Sequence, residues 1–430
     1  MARLVIRGGQ VVDASGTRRA DVAIDDGLVV EVGPSLDTDG ATVLDAEDCV
    51  VTPGFVDLHT HLREPGREEA ETVVTGARAA ARGGYTAVVA MPNTEPTIDS
   101  VAVVSFVLAA GRGACCDVHT AAAITVGRAG EQLTPMAELA ALGVRIFTDD
   151  GCGVQHDGLM RRAMEYSAPL GVILAQHCEV EQLSHGGHMH EGEWSSRLGI
   201  PGIPAEAEEL MIARDVALAR LTGARSHVMH LSTAGAVELV RAAKADGLPV
   251  TAEVTPHHLL LTHAEVAAFD PVFKVNPPLR TAEDVAALRA GLIDGTIDAI
   301  ATDHAPHAQE LKELPFDEAP CGMLGLETAF GVAVTALVVE EGQPLELVLG
   351  ALSWRPAAIA GLEATHGGPV EVGRAANLTV IDPSATWMVD ATDTASKSRN
   401  TPFAGRTLTG RVRHTILAGE PVVIDGRTQR

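Results

Sequence analysis

The stretch Gly54-Phe55-Val56-Asp57-Leu58-His59-Thr60-His61 determines the predicted fold and chemistry of this chain. It is an apolar, strand-like run that ends in two histidines spaced two residues apart. Because residues i and i+2 of a strand project to the same side, His59 and His61 are expected to point together. Two such imidazoles can hold one metal ion when later segments contribute further ligands. A bare His-x-His also occurs as two solvent-facing residues, so the rest of the chain has to decide between these interpretations.

Length and charge narrow the class of protein. With 430 residues, 46% of them hydrophobic, the chain is long enough for a large α/β barrel carrying a second domain. Its 32 Lys and Arg against 57 Asp and Glu give a net charge of −25, which argues against nucleic acid and anionic membranes as partners. An acidic substrate would therefore need positive charge concentrated at its binding site.

The cysteines and apolar stretches indicate a location. Six cysteines in a chain of this length, two of them adjacent at Cys115 and Cys116, do not suit a disulfide scaffold. No apolar stretch approaches the roughly 20 residues that a membrane helix needs, and residues 1–8 lack the apolar core of a secretory signal. We therefore expect a cytoplasmic protein without a membrane span.

Both ends of the chain are rich in short strand and turn patterns. Residues 1–52 contain Asp26-Gly27 between two apolar runs, which is a hairpin signal. Residues 365–430 return to the same pattern, for example between Asn377 and Asp382. Because neither end alone can cover the apolar face of a sheet, we expect the two ends to form one small composite β-sandwich domain.

Between these ends, residues 53–364 alternate strand-like runs with Ala- and Leu-rich helical stretches, a pattern typical of β/α units. Eight such units predict a closed (β/α)8 barrel, a TIM-like α/β fold whose active site lies at the C-terminal ends of the strands. The predicted strands are 55–61, 86–92, 118–126, 144–149, 172–177, 227–231, 250–254 and 299–304.

Polar residues gather where the predicted strands end. Each one alone fits a helix cap or a hydrogen-bonded core histidine, but their recurrence at five strand ends indicates a shared site. Four histidines and two carboxylates suit a pair of divalent ions, for which Zn²⁺ is the default. Two ions bridged by hydroxide would supply a nucleophile at neutral pH. The residues at these ends are His59 and His61, Asp149 and Asp150, His177, His230, and Asp303 and His304.

Longer motifs surround these residues. The most specific combination is His59-Thr60-His61-Leu62-Arg63-Glu64-Pro65-Gly66 with Met91-Pro92-Asn93-Thr94. Further motifs are Phe147-Thr148-Asp149-Asp150-Gly151, Glu253-Val254-Thr255-Pro256-His257-His258, Ala301-Thr302-Asp303-His304-Ala305-Pro306-His307, Gly325-Leu326-Glu327-Thr328 and Ser396-Lys397-Ser398-Arg399-Asn400. With these motifs the chain resembles the amidohydrolase superfamily and, more narrowly, the class I dihydroorotases, over essentially its whole length.

The resemblance implies a reaction, the reversible cyclisation of N-carbamoyl-L-aspartate to L-dihydroorotate and water in pyrimidine biosynthesis. In the ring-opening direction, a metal-bridging hydroxide attacks the amide carbonyl while Asp303 takes its proton and passes it to the leaving nitrogen. The resemblance also implies a zinc enzyme with two ions per subunit. Their ligands would be His59, His61, Asp150, His177, His230 and Asp303.

The substrate carboxylate needs cationic and amide donors in this acidic protein. Arg63 follows the metal histidines closely enough to reach a carboxylate beside the metals, and Asn93 can add an amide donor. The resemblance assigns both residues to that role, with His307 beside them. It further places Asn276 and the backbone around Cys321 and Gly322 at the ring amide. For Asn276, a turn residue before proline is an equally good interpretation.

Other polar residues are interpreted as structural. His188-Met189-His190 is a second His-x-His, but we expect it in a solvated Gly- and Glu-rich loop and not at a metal. His304 should point away from the side on which Asp303 faces. Asp149 is expected to cap or orient, although only the resemblance separates it from Asp150 as the bridging ligand.

Two alternatives remain open from the sequence. Related enzymes that open hydantoin, dihydropyrimidine or allantoin rings typically bridge their metals with a carboxylated lysine on the fourth strand, but no lysine precedes Lys244 here. A non-catalytic dihydroorotase-like scaffold for aspartate transcarbamoylase would usually lose metal ligands, and this chain keeps them. A homodimer and an association with aspartate transcarbamoylase are the protein partners that the resemblance leaves open.

Overall fold

The computed structural model describes residues 3–430. Its strands in chain order are β1 (Leu4–Arg7), β2 (Gln10–Asp13), β3 (Gly16–Arg19), β4 (Asp21–Asp25), β5 (Leu28–Gly33), β6 (Thr42–Asp45), β7 (Val50–Pro53), β8 (Phe55–Thr60), β9 (Tyr85–Ala90), β10 (Asp117–Thr120), β11 (Ile146–Phe147), β12 (Ile173–Gln176), β13 (Met189–His190), β14 (Gly202–Ile203), β15 (Arg225–Val228), β16 (Val250–Val254), β17 (Ala299–Ile300), β18 (Leu378–Met388), β19 (Thr407–Leu417), β20 (Glu420–Ile424) and β21 (Arg427–Thr428).

The helices are α1 (Val73–Arg82), α2 (Val101–Ala110), α3 (Met136–Ala141), α4 (Asp157–Ser167), α5 (Glu181–Ser184), α6 (Glu193–Leu198), α7 (Glu206–Thr222), α8 (Ala234–Ala245), α9 (Ala282–Ile293), α10 (Ala329–Ala333), α11 (Leu345–Leu352) and α12 (Trp354–Ala360). Several start at a capping side chain that the sequence supplies; Thr281, for example, accepts from the backbone N–H of Asp284. Across residues 3–430, no helix combines the length and apolar character that a membrane crossing requires.

Eight parallel strands close into a barrel. Strands β8, β9 and β10 pair in one set, and β11, β12, β15, β16 and β17 pair in a second. Two isolated parallel bridges, from Ala122 to Phe147 and from Thr60 to His304, join the sets into one ring. All eight predicted strand segments overlap these strands, so the (β/α)8 barrel is confirmed.

The barrel strands are buried on both faces because the helices cover them from outside. No residue of β8 or β9 is exposed, which explains why these strands appear in the sequence as nearly continuous apolar runs. On the outer face, the Phe55 ring packs against Tyr85 and Phe330, with ring centroids 5.7 Å apart in each pair. A separate cluster fills the interior, and it includes Leu58, Val89, Ile146, Ile173, Met229 and Ala299.

Strands from both chain ends share one sheet. Its seven strands run in the order β21-β20-β19-β18-β7-β2-β3, and β18 pairs antiparallel with β7. A second sheet, β5-β4-β1-β6, packs its apolar residues into the same core. This pairing supports our proposed division into a composite β domain, 1–52 with 365–430, and a barrel, 53–364.

Candidate metal centre

Two groups of possible metal ligands lie at the C-terminal ends of the barrel strands. The first consists of His59, His61 and Asp150, and the second of Asp150, His177 and His230; within each, the ligand atoms lie within 4.8 Å of one another. All five side chains are buried. Asp150 belongs to both groups, which is the position of a bridging ligand.

The shared carboxylate spans both groups. Asp150 Oδ1 lies 3.4 Å from His59 Nε2 and 4.0 Å from His177 Nδ1, and Asp150 Oδ2 lies 3.6 Å from His61 Nε2. In the second group, His177 Nδ1 faces His230 Nε2 at 2.8 Å. The carboxylate is thus placed to contact two ions at once.

Asp303 completes the first group. Its Oδ1 lies 2.9 Å from His61 Nε2 and 3.4 Å from His59 Nε2. Burial alone would raise the pKa of the Asp303 carboxyl, but the imidazoles of His59 and His61 lower it below its ordinary value. Asp303 is therefore ionised at rest, able both to bind a cation and to accept a proton.

The orientation of the histidines tests whether a metal fits. His59 Nδ1 donates to Glu253 Oε1 at 3.0 Å, and His61 Nδ1 donates to Asn93 Oδ1 at 2.9 Å. Both rings therefore turn the lone pair of Nε2 toward the carboxylates. His59 Nε2 is buried without a hydrogen-bond partner among residues 3–430, although buried polar atoms are rarely left unpaired. Nitrogen and oxygen ligands in this arrangement fit Zn²⁺ or a similar ion.

The charges in the centre also favour a cation. Burial disfavours the imidazolium form of His59, yet Asp150 and Asp303 outweigh burial and hold the pKa of His59 well above its usual range. Burial and the neighbouring His177 ring lower the pKa of His230 to about 3, so this imidazole is neutral. The carboxylates of Asp150 and Asp303 thus attract positive charge into the centre, and a divalent ion can supply that charge in place of a proton on His59.

Backbone strain is concentrated in the same place. Arg63, His230 and Asp303 have φ values of 63°, 33° and 45°, a left-handed region that non-glycine residues seldom adopt. Such conformations persist where the surrounding structure fixes them, and they cluster at functional sites. These three residues each lie two or three positions after the last residue of a barrel strand.

Glu253 supports the centre from inside the barrel, a role that the sequence did not reveal. Besides accepting from His59, its Oε2 accepts from His227 Nε2 at 3.1 Å, and His227 Nδ1 lies 2.8 Å from Thr251 Oγ1. Burial would raise the pKa of Glu253, but hydrogen bonds from His227 and His59 lower it to about 2. The anion thus fixes the His59 ring and increases its basicity as a ligand.

We expect Glu253→Gln to weaken metal binding by roughly 10- to 100-fold, because the neutral amide accepts more weakly from His59. Competition with a chelator, followed by metal analysis, measures the change. Glu327→Gln is the control, since Glu327 is a half-buried glutamate paired with Arg82 and takes no part in either ligand group. Equal metal affinity in the Glu253 variant and wild type would contradict this role.

A pocket opens above the ligands, and Arg63 lies buried in its wall. Arg63 Nε donates to Pro306 O at 3.0 Å, and Nη2 lies 3.4 Å from His307 Nε2. Burial and then the charge of Arg67 lower the pKa of Arg63 to about 10. The pocket is lined by every predicted site residue except His59: His61, Arg63, Asn93, Asp150, His177, His230, Asn276, Asp303, His307, Cys321 and Gly322.

Asn93 and Asn276 both contact the metal ligands. Asn93 Nδ2 donates to Asp150 Oδ2 at 3.1 Å, so its amide links Asp150 to His61 and keeps one N–H for a substrate. Asn276 Nδ2 lies 3.3 Å from His177 Nε2, and its Oδ1 is buried with no partner among the described residues. The structure thus places Asn276 in the pocket wall, where this oxygen can accept from a ligand.

The backbone at residues 321 and 322 is already partly engaged within the protein. His307 Nε2 donates to Cys321 O at 2.7 Å, and Gly322 N donates to Lys274 O at 2.9 Å. Gly322 has φ +142°, and a Cβ there would lie 2.8 Å from His307 Nε2, so the loop requires glycine. The backbone N–H of Cys321 has no partner in residues 3–430, and it remains the donor that a ligand can use.

The structure also describes the polar residues that the sequence analysis interpreted as structural and not as metal ligands. Asp149 accepts from Thr125 N at 3.0 Å and also from the Thr125 hydroxyl, and it belongs to neither ligand group. His304 Nε2 faces Glu71 at 3.5 Å. The expectation of a solvated His188-Met189-His190 loop was wrong for Met189 and His190, which are buried and form strand β13 beside β14. Arg280 Nη1 donates to His190 Nδ1 at 3.1 Å.

Two arginines near the pocket were missed from the sequence. Arg128 Nη1 donates to Asp150 O at 2.6 Å and holds the backbone of the shared ligand. Arg67 lines the pocket one turn beyond Arg63. No spacing rule marks Arg128, whereas the position of Arg67 in the loop after His61 was a usable signal.

The barrel and its ligand groups define a class, the (β/α)8-barrel amidohydrolases. Residues 48–236 match the model of the Dihydro-orotase-like family. The chain is 50% identical to a dihydroorotase of Pelotomaculum thermopropionicum, covering 98% of this chain and 99% of that protein. It is 49% identical to a dihydroorotase of Streptomyces coelicolor, with coverage of 99% and 100%. The chain therefore belongs to the dihydroorotase family.

Solved structures agree with this fold. An L-hydantoinase (dihydropyrimidinase) from Arthrobacter aurescens superimposes with a TM-score of 0.90 at 25% sequence identity, covering 100% of this chain and 98% of that one. A dihydropyrimidinase from Brevibacillus agri gives a TM-score of 0.87 at 24% identity, with coverage of 99% and 96%. The architecture is thus shared with a hydantoinase and a dihydropyrimidinase.

Proposed function

We propose that this protein is a dihydroorotase, which interconverts N-carbamoyl-L-aspartate and L-dihydroorotate in pyrimidine biosynthesis. The main support for this proposal is the environment of Arg63. This residue is only 6% exposed, and it forms no ion pair with a carboxylate anywhere in residues 3–430. A buried guanidinium without a counter-ion is costly unless a ligand supplies one. Its position beside the ligand groups favours a substrate that carries a carboxylate next to the reacting amide.

The residues present would hold two Zn²⁺ ions, one in each group with Asp150 between them. Bound there, the ions would polarise the scissile carbonyl and make water nucleophilic at neutral pH. Asn93 and Glu253 fix the rings of His61 and His59, so that both ligands keep their orientation without the ion. The zinc identity and the number of ions are tested by metal analysis of purified protein.

The substrate carboxylate would be gripped by Arg63, with Asn93 and His307 beside it. Burial and the charge of Arg63 lower the pKa of His307 to about 2, so this ring stays neutral and does not compete with Arg63 as a cation. Asn276 Oδ1 and the N–H of Cys321 would pair with the ring amide. This set fixes both ends of the substrate relative to Asp303.

Asp303 would move the proton. In ring opening its ionised carboxylate accepts a proton from the attacking water, whose oxygen forms a bond to the amide carbon. As the C–N bond breaks, the same carboxyl returns the proton to the ring nitrogen, which becomes the carbamoyl NH₂. Cyclisation follows these steps in reverse, with the release of water.

The same observations give less support to the two alternative functions, a ring-opening enzyme with a carboxylated lysine and a non-catalytic scaffold. A carboxylated lysine on the fourth barrel strand is excluded because the ligand at its end is Asp150 and no lysine precedes Lys244. A non-catalytic scaffold has no need for two intact ligand groups and a strained backbone around them. Assays with dihydroorotate, hydantoin and dihydrouracil separate these proposals, and turnover of only the latter two would refute a dihydroorotase.

We also propose a cytoplasmic homodimer. The proposal draws on the absence of a disulfide pattern among the six cysteines and on the family resemblance. Size-exclusion chromatography with light scattering tests the dimer. Adding aspartate transcarbamoylase from the same source to that experiment tests the second proposed partner.

Arg63→Lys is expected to keep the metal content but to lower kcat/KM by roughly 10- to 150-fold, the loss of about 1.5 to 3 kcal/mol from a charge-assisted bond. An ammonium cannot reproduce the planar two-donor grip on a carboxylate. Steady-state kinetics in both directions measure the effect. Arg82→Lys, at an ion pair outside the pocket, is the control. Kinetics like those of wild type in Arg63→Lys would remove Arg63 from the substrate site.

A further inference from the structure

A short segment of the composite domain lies against the mouth of the barrel. Residues 396–400 connect β18 to β19, and their side chains reach two barrel loops. The hydroxyl of Ser396 donates to Glu71, and the hydroxyl of Ser398 donates to Ala70 O at 2.8 Å. Asn400 points toward the other loop, the one that follows β17.

Asn400 is buried, and its amide makes three hydrogen bonds. Asn400 Oδ1 accepts from the backbone N–H of His307 at 3.2 Å. Asn400 Nδ2 donates to Ala305 O at 3.0 Å and to Gly322 O at 3.2 Å. The backbone carbonyl of Asn400 accepts from Leu324 N at 3.1 Å. Through its side chain and its backbone carbonyl, Asn400 thus contacts two backbone segments, 305–307 and 322–324, that are separate in sequence.

The first segment carries His307, which is assigned to the substrate carboxylate, and the second carries Gly322, which is assigned to the ring amide. Pro306 O accepts from Arg63 Nε at 3.0 Å, and His307 contacts both Arg63 and Cys321 O. Asn400 touches none of these side chains itself and does not line the pocket. Its contacts determine instead where the backbone of residues 305–307 lies relative to residue 322.

We propose that Asn400 is a positioning residue for the carboxylate site: it fixes, relative to Gly322, the backbone of residues 305–307, which carries His307 and the Pro306 carbonyl bonded to Arg63. The inference rests on the proposed function, because it assigns a substrate group to that site. Removal of the amide leaves one N–H and two C=O groups without partners. The hydrogen bond from Ala305 N to Met323 O at 2.8 Å still joins the two segments, so we expect a shift of residues 305–307 relative to residue 322 and not a separation. A displacement of about 1 Å at such a site is worth up to about 10²-fold in rate or affinity.

The experiment compares Asn400→Ala with Ser398→Ala, a buried residue of the same segment that contacts Ala70 and not the carboxylate site. We expect the Asn400 variant to raise KM for both substrates by roughly 10- to 100-fold, with metal content unchanged. Because the equilibrium constant is fixed, kcat/KM must fall by the same factor in both directions. The Ser398 variant should keep the KM of wild type.

A second variant keeps the test valid if Asn400→Ala does not fold. Asn400→Asp has the same shape and retains an acceptor for His307, but it turns an oxygen toward Ala305 O and Gly322 O in place of the donor. KM should rise here as well. Introducing Asn400→Ala into His307→Ala should add little, because both changes act through one site.

The result that overturns the proposal is a folded Asn400 variant with the KM of wild type, or an effect that adds fully to that of His307→Ala. A loss equal to that of Ser398→Ala would also overturn it, since it would reflect the general stability of the segment. Failure of the proposed function is a separate result: wild-type protein would then not convert carbamoyl-aspartate at all.

Discussion

Replacing Asp303 with asparagine is expected to lower kcat by at least about 10²-fold in both directions, the low end for general acid/base catalysis. The amide keeps the shape of the side chain and its contacts with His61 and His59, but it cannot accept and return a proton. His59, His61 and Asp150 remain as ligands, so the folded variant should keep metal. Steady-state kinetics with metal analysis make the measurement.

The control for this variant is Asp215→Asn. Asp215 is equally buried, but it accepts from Arg214 Nε at 2.8 Å and does not line the pocket. Its replacement should leave kcat close to that of wild type. A folded, metal-loaded Asp303→Asn protein with normal turnover would mean that another residue moves the proton.

Asp150→Ala is expected to abolish activity through loss of metal. Asp150 is the one residue common to both ligand groups, so its removal leaves His59, His61 and Asp303 in the first group and only two histidines in the second. The loss of metal affinity should exceed the roughly 10- to 100-fold typical of supporting residues. Asp149→Asn is the control, because the neighbouring carboxylate is bonded to Thr125 and not to the ligand groups. Full metal content and activity in Asp150→Ala would refute the shared ligand.

An aspartate as the shared ligand also predicts how metal-stripped protein recovers its activity. An aspartate is already an anionic oxygen ligand, whereas a carboxylated lysine has to be built from CO₂. Metal-stripped wild-type protein should therefore recover as fully with Zn²⁺ in CO₂-depleted buffer as with bicarbonate. A strict bicarbonate requirement would reopen the hydantoinase-like alternatives.

The barrel could be predicted because its information is local. Strands such as β8 and β9 are buried on both faces, so they form apolar runs. His59 and His61 mark the end of β8, and Asp150 follows β11. Parallel strands bring these ends together, and this rule alone gathers ligands that are far apart in sequence. The choice of Asp150 over Asp149 as the proposed shared ligand depended on family resemblance. The geometry offers a physical reason for it, because the Asp149 carboxylate already accepts a hydrogen bond from Thr125.

The supporting contacts could not be predicted because they join residues without a local pattern. Glu253 reaches His59 across 194 positions, and Asn400 reaches His307 across 93. His190 appeared solvated from its Gly- and Glu-rich surroundings, but the buried Arg280 that contacts it lies 90 residues away. Such pairings depend on the finished packing of loops, which composition and periodicity do not encode.

The bridge between Thr60 and His304 is where the first and last barrel strands meet, and it gives the metal ligands a mechanical role. His61 and Asp303, 242 positions apart, lie on opposite sides of this seam. An ion bound by both residues, as we propose, would link the two ends of the longest chain loop in the barrel, whose closure has the largest entropic cost. The free energy of binding that ion would then add to the free energy of unfolding. The ion that activates water for the reaction would therefore also stabilise the closed barrel.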